Sequence, residues 1–311
     1  MPERPNLNSH PPNSWAAHAG EPSFRASPSP GAITQIALPL LAWLDDWLVS
    51  WGTVTLLRPG LGITATHVIE ALLKGWNIEI PASSNPFTRA APFHLLMLQN
   101  GPNPGTGHLW RAYRLITCPG TDITAVLLAP YSENWTDAPK IGPKVTFHPP
   151  DVGSRVTAFG YPRTRTWIES EQGAEGITLA YEAQGHTAVG SVEEIHMGGR
   201  DRGLLSFPCF RTSAQFDPGM SGGPVFDEDG KLCGIVSCGT EGVPLLNYAS
   251  LLWPTGVVEL DVSAEGSDPH KRTICQMAAE GAIDISGCEG IMGRAGEVIH
   301  WRSTAEPPEV L

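Results

Sequence analysis

Positive charge is scarce in this chain. Lys and Arg number 20 against 32 Asp and Glu, which leaves a formal net charge of −12. Nucleic acid and anionic membrane surfaces both demand a positive field, so neither fits as the main partner. Long apolar runs are missing too. The most apolar window, AITQIALPLLAWLDDWLVSW, is interrupted by a proline and two aspartates, well short of the roughly 20 residues that a membrane span requires. The first residues, MPERPNLNSHPPNSW, hold no apolar stretch of the secretory kind, and residues 1–31 read as a flexible arm rich in Pro, Ser and Asn. Cysteines are few, at 118, 209, 233, 238, 275 and 288, and none forms a close metal-binding pair. Cys233 and Cys238 fall within a strand-like segment, where a buried thiol is the common outcome. No metal or other cofactor is expected, and a reducing cytoplasm is the expected home.

What is abundant is punctuation. With 34 Gly and 29 Pro in 311 residues and few long helical patterns, the chain reads as many short strands joined by tight turns. The fold class expected is all-β. WLVSWGTVTLLRPGLGITATHV supplies two strands around a Pro-Gly turn, the second ending at His67, and HVIEALLKG supplies about two helical turns closed by Gly75. Strands at WNIEI, FHLLMLQ, HLWRAYRLITC and DITAVLLA complete a first lobe over residues 32–128. Residues 129–143 form a proline-rich connector. A second lobe over 144–255 draws on KVTFH, SRVTAFGYP, ITLAYEA, HTAVGSVEEIH, SFPCFRTS, GGPVFD, KLCGIVSCG and LNYASLLW, a spacing that suits an antiparallel barrel or sandwich. DEDG between two apolar strands is a hairpin turn and lacks the alternating ligand pattern of a calcium loop. Residues 256–311 change character: from 255 onward ten acids face four bases, and DPHKRTICQMAAEGAI predicts a helix with Asp268 as N-cap and a stop at Gly281.

The chemistry concentrates in FDPGMSGGPVF, where Ser221 stands among three glycines and two prolines. A serine hydroxyl is a poor nucleophile at neutral pH without a base in reach. Acyl transfer also needs backbone N–H groups aimed at a developing oxyanion, and glycines permit the unusual dihedrals that aim them. Gly219 and Ser221 are the candidate donors. A bare GxSG is a common turn, but GxSGGP followed by VF, a hairpin and GIVSCG is far more specific. His67 is the candidate base, at a strand–helix junction behind small residues. His94, His108, His148, His186 and His196 lack such flanks. Asp122 leads directly into an apolar strand, a setting that acids avoid unless a partner compensates for burial.

The order His67, Asp122, Ser221 within TATHV, DITAVL and GMSGGPVF resembles the trypsin-like (chymotrypsin-fold) serine peptidases, and most of all the bacterial, disulfide-free branch related to HtrA-type proteases. VTAFGYP and VGSVEEI fit that branch's second barrel, and the resemblance covers about residues 47–255. It implies two six-stranded β-barrels with the triad in the cleft between them. Ser221 would attack a scissile carbonyl, His67 would carry its proton, Asp122 would orient His67, and an acyl-enzyme would form. Ser237 would support Asp122. Gly239 would lie on the edge strand that pairs with an extended protein or peptide substrate. Gln215, six residues before the nucleophile, and Phe216 would form the floor of the primary pocket; an uncharged P1 side chain fits them, while Asp217 keeps a basic one open. Val68 and Asp217 stand where secreted members carry cysteines. Met220 replaces the aspartate that those members use to bind a newly cut N-terminus, so N-terminal trimming is not the expected control. The whole implies a regulatory or defence-related intracellular endopeptidase. A catalytically silent scaffold for extended peptides is the alternative. The acidic tail would be a packing segment or the dock of a regulatory partner.

Overall fold

A computed structural model of the chain describes residues 25–26, 32–44, 47–75, 88–90, 94–100, 107–131, 142–169, 178–240, 246–263, 270–292 and 300–302. The strand predicted at WNIEI, the centre of the connector and most of the N-terminal arm lie outside them. Arg25–Ala26, within that arm, pair with Thr187 and His186 of the second lobe.

The first lobe is a closed barrel of six strands: β1 (Ala37–Leu44), β2 (Trp47–Arg58), β3 (Leu61–Ala65), β4 (His94–Asn100), β5 (Gly107–Cys118) and β6 (Ile123–Pro130). Their order around the ring is β5-β4-β1-β2-β3-β6, and β5 pairs with β6 to close it. All five residues of β3 are buried, as expected of a strand covered on both faces. The apolar window at 32–51 is not a span: it supplies a helical turn, Ile33–Ile36, and then β1 and part of β2. No helix among the described residues is long and apolar enough to cross a membrane. Pro39 sits inside β1 without harm because β4 pairs with β1 only from Leu40 to Trp43, so at Pro39 the strand has β2 as its one neighbour. Between β3 and β4 the chain forms α1, Thr66–Gly75, with Val68, Ile69, Leu72 and Leu73 buried.

The second lobe closes likewise, from β7 (Arg155–Glu169), β8 (Thr178–His196), β9 (Cys209–Thr212), β10 (Pro224–Phe226), β11 (Leu232–Thr240) and β12 (Leu246–Leu251). The ring runs β10-β7-β8-β9-β12-β11, with β10 pairing β11. The chain is thus all-β, built from two closed six-stranded antiparallel barrels. Two expected strands, ITLAYEA and HTAVGSVEEIH, are one: β8 pairs with β7 from Arg155 to Glu169 and absorbs the Gly-Tyr-Pro break through a register shift between Gly160 and Arg163. The DEDG segment is a turn, with Asp227 accepting from the Asp229 and Lys231 N–H groups and Gly230 at φ +74. No cluster of acids, histidines or cysteines among the described residues has metal-binding geometry.

Beyond the second barrel the helix is shorter than predicted. Lys271–Thr273 form a strand, β14, paired with β13 (Glu259–Asp261), and the helix proper, α2, spans Ile274–Ala279. Its start is fixed by a capping box: Gln276 N–H donates to Thr273 Oγ1 at 3.1 Å, and Thr273 N–H to Gln276 Oε1 at 2.8 Å. Two reciprocal bonds outweigh the Asp-Pro signal at 268, which lies outside the described residues. This segment belongs to the core. Leu260, Ile274, Met277 and Ile283 are buried in one cluster with Leu61, Ile116 and Ile123 of the first barrel and Val225, Val236 and Leu251 of the second. Tyr113 of β5 donates to Ser263 O at 2.8 Å, and Arg114 forms an ion pair with Asp261.

Candidate active site

Strand pairing carries His67 to Asp122. In the β3–β6 ladder Ala65 stands opposite Ile123, so the residues just past the end of β3 meet those just before β6. Thr66 N–H donates to Asp122 O at 3.1 Å, and the hydroxyls of Thr66 and Thr124 meet at 3.0 Å. Thr121 holds the approach turn, donating to Cys118 O at 2.7 Å and accepting from Ile123 N–H at 3.0 Å.

The Asp122 carboxylate takes three donors. His67 N–H reaches Oδ1 at 2.9 Å, His67 Nδ1 reaches Oδ2 at 2.8 Å, and the Ser237 hydroxyl reaches Oδ2 at 2.5 Å. An ionised carboxylate only accepts, so Nδ1 carries the proton and Nε2 is left as an acceptor. The Asp122 side chain is 9% exposed and the His67 imidazole 44%, so the pair is anchored at its acidic end and open at its basic end.

Ser221 comes from the turn between β9 and β10, on the other barrel. Its Oγ donates to Ser237 O at 3.1 Å, and among the described residues no hydrogen bond joins it to His67. Ser237 is therefore the shared neighbour, with its hydroxyl on Asp122 and its carbonyl on Ser221. The turn depends on two glycines. Gly219 has φ +95, and a Cβ there would lie 2.9 Å from Pro162 Cα and Tyr161 O. Gly222 has φ +83, and a Cβ would lie 2.1 Å from Thr53 O. Gly223 N–H holds Met220 O at 2.8 Å, which turns the Ser221 N–H the opposite way. Neither the Gly219 nor the Ser221 N–H has an acceptor among the described residues.

The residues predicted for the substrate path separate into two groups. Gln215 is exposed, Phe216 half-buried and Gly239 on β11. Asn247 of β12, which nothing in its own segment flags, connects the last two: it accepts from Phe216 N–H at 3.1 Å and stands opposite Gly239 in the ladder. Ser237, also expected along that path, is buried, with its hydroxyl turned onto Asp122 and its carbonyl onto Ser221. On the side away from β12, β11 pairs with β10 only as far as Ile235. From Ser237 to Thr240 that edge has no strand beside it among the described residues. Cys238 lies on this edge, its thiol pushed up to about 11 by burial and then by the Asp122 charge. Sequence reasoning also passed over Thr53 and Thr55 of β2, whose hydroxyls donate to Gly219 O at 2.9 Å and Gly222 O at 2.8 Å. Threonine is ordinary in strands, so neither gives a signal before the barrels are docked.

Two closed barrels, with a serine on one and a histidine–aspartate pair on the other, define a protein of the chymotrypsin-fold class. Residues 52–235 match the trypsin-like peptidase domain, and the chain belongs to that family, the trypsin-like serine proteases. No curated protein matches the chain in sequence. Similar solved structures include the MamO protease domain of Magnetospirillum magneticum, at 14% identity over 70% of this chain and 93% of that one, with a TM-score of 0.44. The active form of the Rv3671c protease of M. tuberculosis is similar at 14% identity over 71% of this chain and 77% of that one, TM-score 0.44. The HtrA-type protease AlgW, with a decapeptide, is similar at 16% identity over 70% of this chain and 60% of that one, TM-score 0.42.

Proposed function

We propose that the chain is an endopeptidase in which Ser221 attacks the scissile carbonyl, His67 Nε2 takes its proton and Asp122 holds the imidazole. The Ser221 Oγ–carbonyl carbon bond forms as the serine O–H breaks, giving a tetrahedral oxyanion that the Gly219 and Ser221 N–H groups stabilise. Collapse expels the amine, which takes the proton from His67 and leaves an acyl-enzyme; water then repeats the sequence and releases the acid. The substrate pairs with β11 between Ser237 and Gly239, beside a pocket lined by Gln215, Phe216 and Asn247, all uncharged, so an uncharged P1 side chain is preferred. The observation that carries this reading is the Asp122 carboxylate, buried, with His67 and Ser237 both donating to it. For the first step the Ser221 hydroxyl leaves the Ser237 carbonyl for His67. We place the protease in a reducing, cytoplasmic setting on its six free thiols, where a regulatory or defence-related role suits it.

A fluorophosphonate probe tests the core of the proposal. Adduct formation at Ser221 that disappears in His67→Ala supports an active enzyme. A folded protein that takes no label at Ser221 supports a silent scaffold that keeps its serine on the Ser237 carbonyl.

A further inference from the structure

The nucleophile turn is held from the opposite barrel by carbonyls. Gly219 O accepts from Thr53 Oγ1 at 2.9 Å, Ser221 O from Thr53 N–H at 2.9 Å, and Gly222 O from Thr55 Oγ1 at 2.8 Å. Two of these three bonds come from a single residue. Thr53 is fully buried, so water does not compete for its hydroxyl. The direction of that hydroxyl is also fixed. Tyr161 N–H donates to Thr53 Oγ1 at 3.1 Å, which occupies a lone pair and leaves the one proton for Gly219 O. The backbone carbonyl of Thr53 accepts from Thr64 Oγ1 at 2.8 Å, on the strand that ends just before His67. One side chain and its own peptide groups therefore touch the serine turn, the second barrel's β7 and the histidine strand.

We propose that Thr53 is a positioning residue for the oxyanion hole, its hydroxyl setting the Gly219 N–H from the other barrel while Gly223 sets the Ser221 N–H from within the turn. Glycine chooses its own conformation less than any other residue, because without a Cβ it takes φ above or below zero with similar ease. At Gly219 the donor direction is decided by what pins the neighbouring peptide. A trans peptide is planar, so a carbonyl fixed on Thr53 sends the Met220 N–H the other way, where it donates to Asp217 O at 3.0 Å. With that peptide set and φ at +95, the Gly219 N–H has one direction. The Thr53 N–H does the same for the plane after Ser221. The hydroxyl thus acts on the transition state through backbone geometry, without touching substrate.

This inference rests on the peptidase reading, and the experiment separates the two. Steady-state hydrolysis of a peptide chosen from a cleavage library is measured for wild type, Thr53→Val, Thr53→Ser and Thr55→Val, with thermal melts confirming folding. Thr53→Val keeps shape and loses the hydroxyl; kcat falls about 10- to 100-fold with KM within about threefold, below the loss expected for removing a donor outright. Thr53→Ser restores kcat to within about threefold. Thr55→Val, which frees only Gly222 O, lowers the melting temperature and leaves kcat within about threefold of wild type. Should Thr53→Val fail to fold, Thr53→Ala is read against Thr53→Ser by the same ratio. Unchanged kcat in the hydroxyl-free variant, a loss confined to KM, or a folded Thr53→Ser as slow as Thr53→Val would each overturn the proposal while leaving the peptidase reading intact. A wild-type protein that neither cleaves nor takes the fluorophosphonate overturns the peptidase reading itself.

Discussion

Replacing Ser237 with alanine tests whether the buried carboxylate needs its third donor. The hydroxyl donates to Asp122 Oδ2 at 2.5 Å, and both bonds from His67 survive its removal. The Ser237 carbonyl that receives Ser221 Oγ is backbone and survives as well. The substitution therefore isolates one hydrogen bond to a charged, mostly buried group. Such bonds contribute about 1.5–3 kcal/mol. If that amount is felt in the step where the imidazole becomes positive, it corresponds to a loss of roughly 10- to 150-fold, at about 1.4 kcal/mol per factor of ten. The assay is the second-order rate of fluorophosphonate labelling at Ser221, followed beside thermal melting, with Ser237→Thr as the variant that keeps the hydroxyl. Labelling by Ser237→Ala within twofold of wild type, in a folded protein, would refute the idea that Asp122 depends on more than His67.

Asp122→Asn puts an amide N–H donor where Oδ2 accepted from Nδ1, so Nδ1 must accept and the wrong imidazole tautomer is favoured; kcat should fall about 10³- to 10⁴-fold while the protein stays folded by circular dichroism. Met277→Ala opens a cavity where the C-terminal segment meets the shared core and should cost about 2–5 kcal/mol, seen as a lower melting temperature with both barrels still melting in one transition. Asp261 is held below the ordinary carboxylate range by the Ser263 hydroxyl, with help from the backbone N–H groups of His270 and Ser263 and from Arg114. Its folded-state value is depressed, so its stabilisation is present above the unfolded value and is lost as pH falls through the folded one. Asp261→Asn should therefore be less stable than wild type at pH 7 by urea titration, with the difference closing below about pH 4.

The candidate site was legible where chemistry leaves a local mark. Ser221 is announced by glycines that only a constrained backbone needs, His67 by its strand–helix junction, and Asp122 by an acid set against an apolar strand. These marks survive in one dimension because each records a conformation or a burial that its own segment must pay for. Thr53 and Asn247 leave none. Their partners lie in other segments, and a threonine in WGTVTLL or an asparagine in LNYASLLW looks like any strand residue until the barrels close. The fold shows the same division. Alternating apolar segments mark most strands, but Gly-Tyr-Pro near 160 reads as a strand end although a register shift carries β7 through it. The helix start was misread because Asp268-Pro269 is the louder signal, whereas Thr273 and Gln276 make the bonds.

The residues that fasten the two barrels together follow both of them in sequence. Ile274, Met277 and Ile283 complete a core whose other members were synthesised as early as Leu57 and Leu61. During translation the serine, the histidine and the aspartate have all left the ribosome well before that wedge does. A chain truncated after Trp253 holds His67, Asp122 and Ser221 but not the apolar residues that seat one half against the other. It should remain open to limited proteolysis and refuse the phosphonate label.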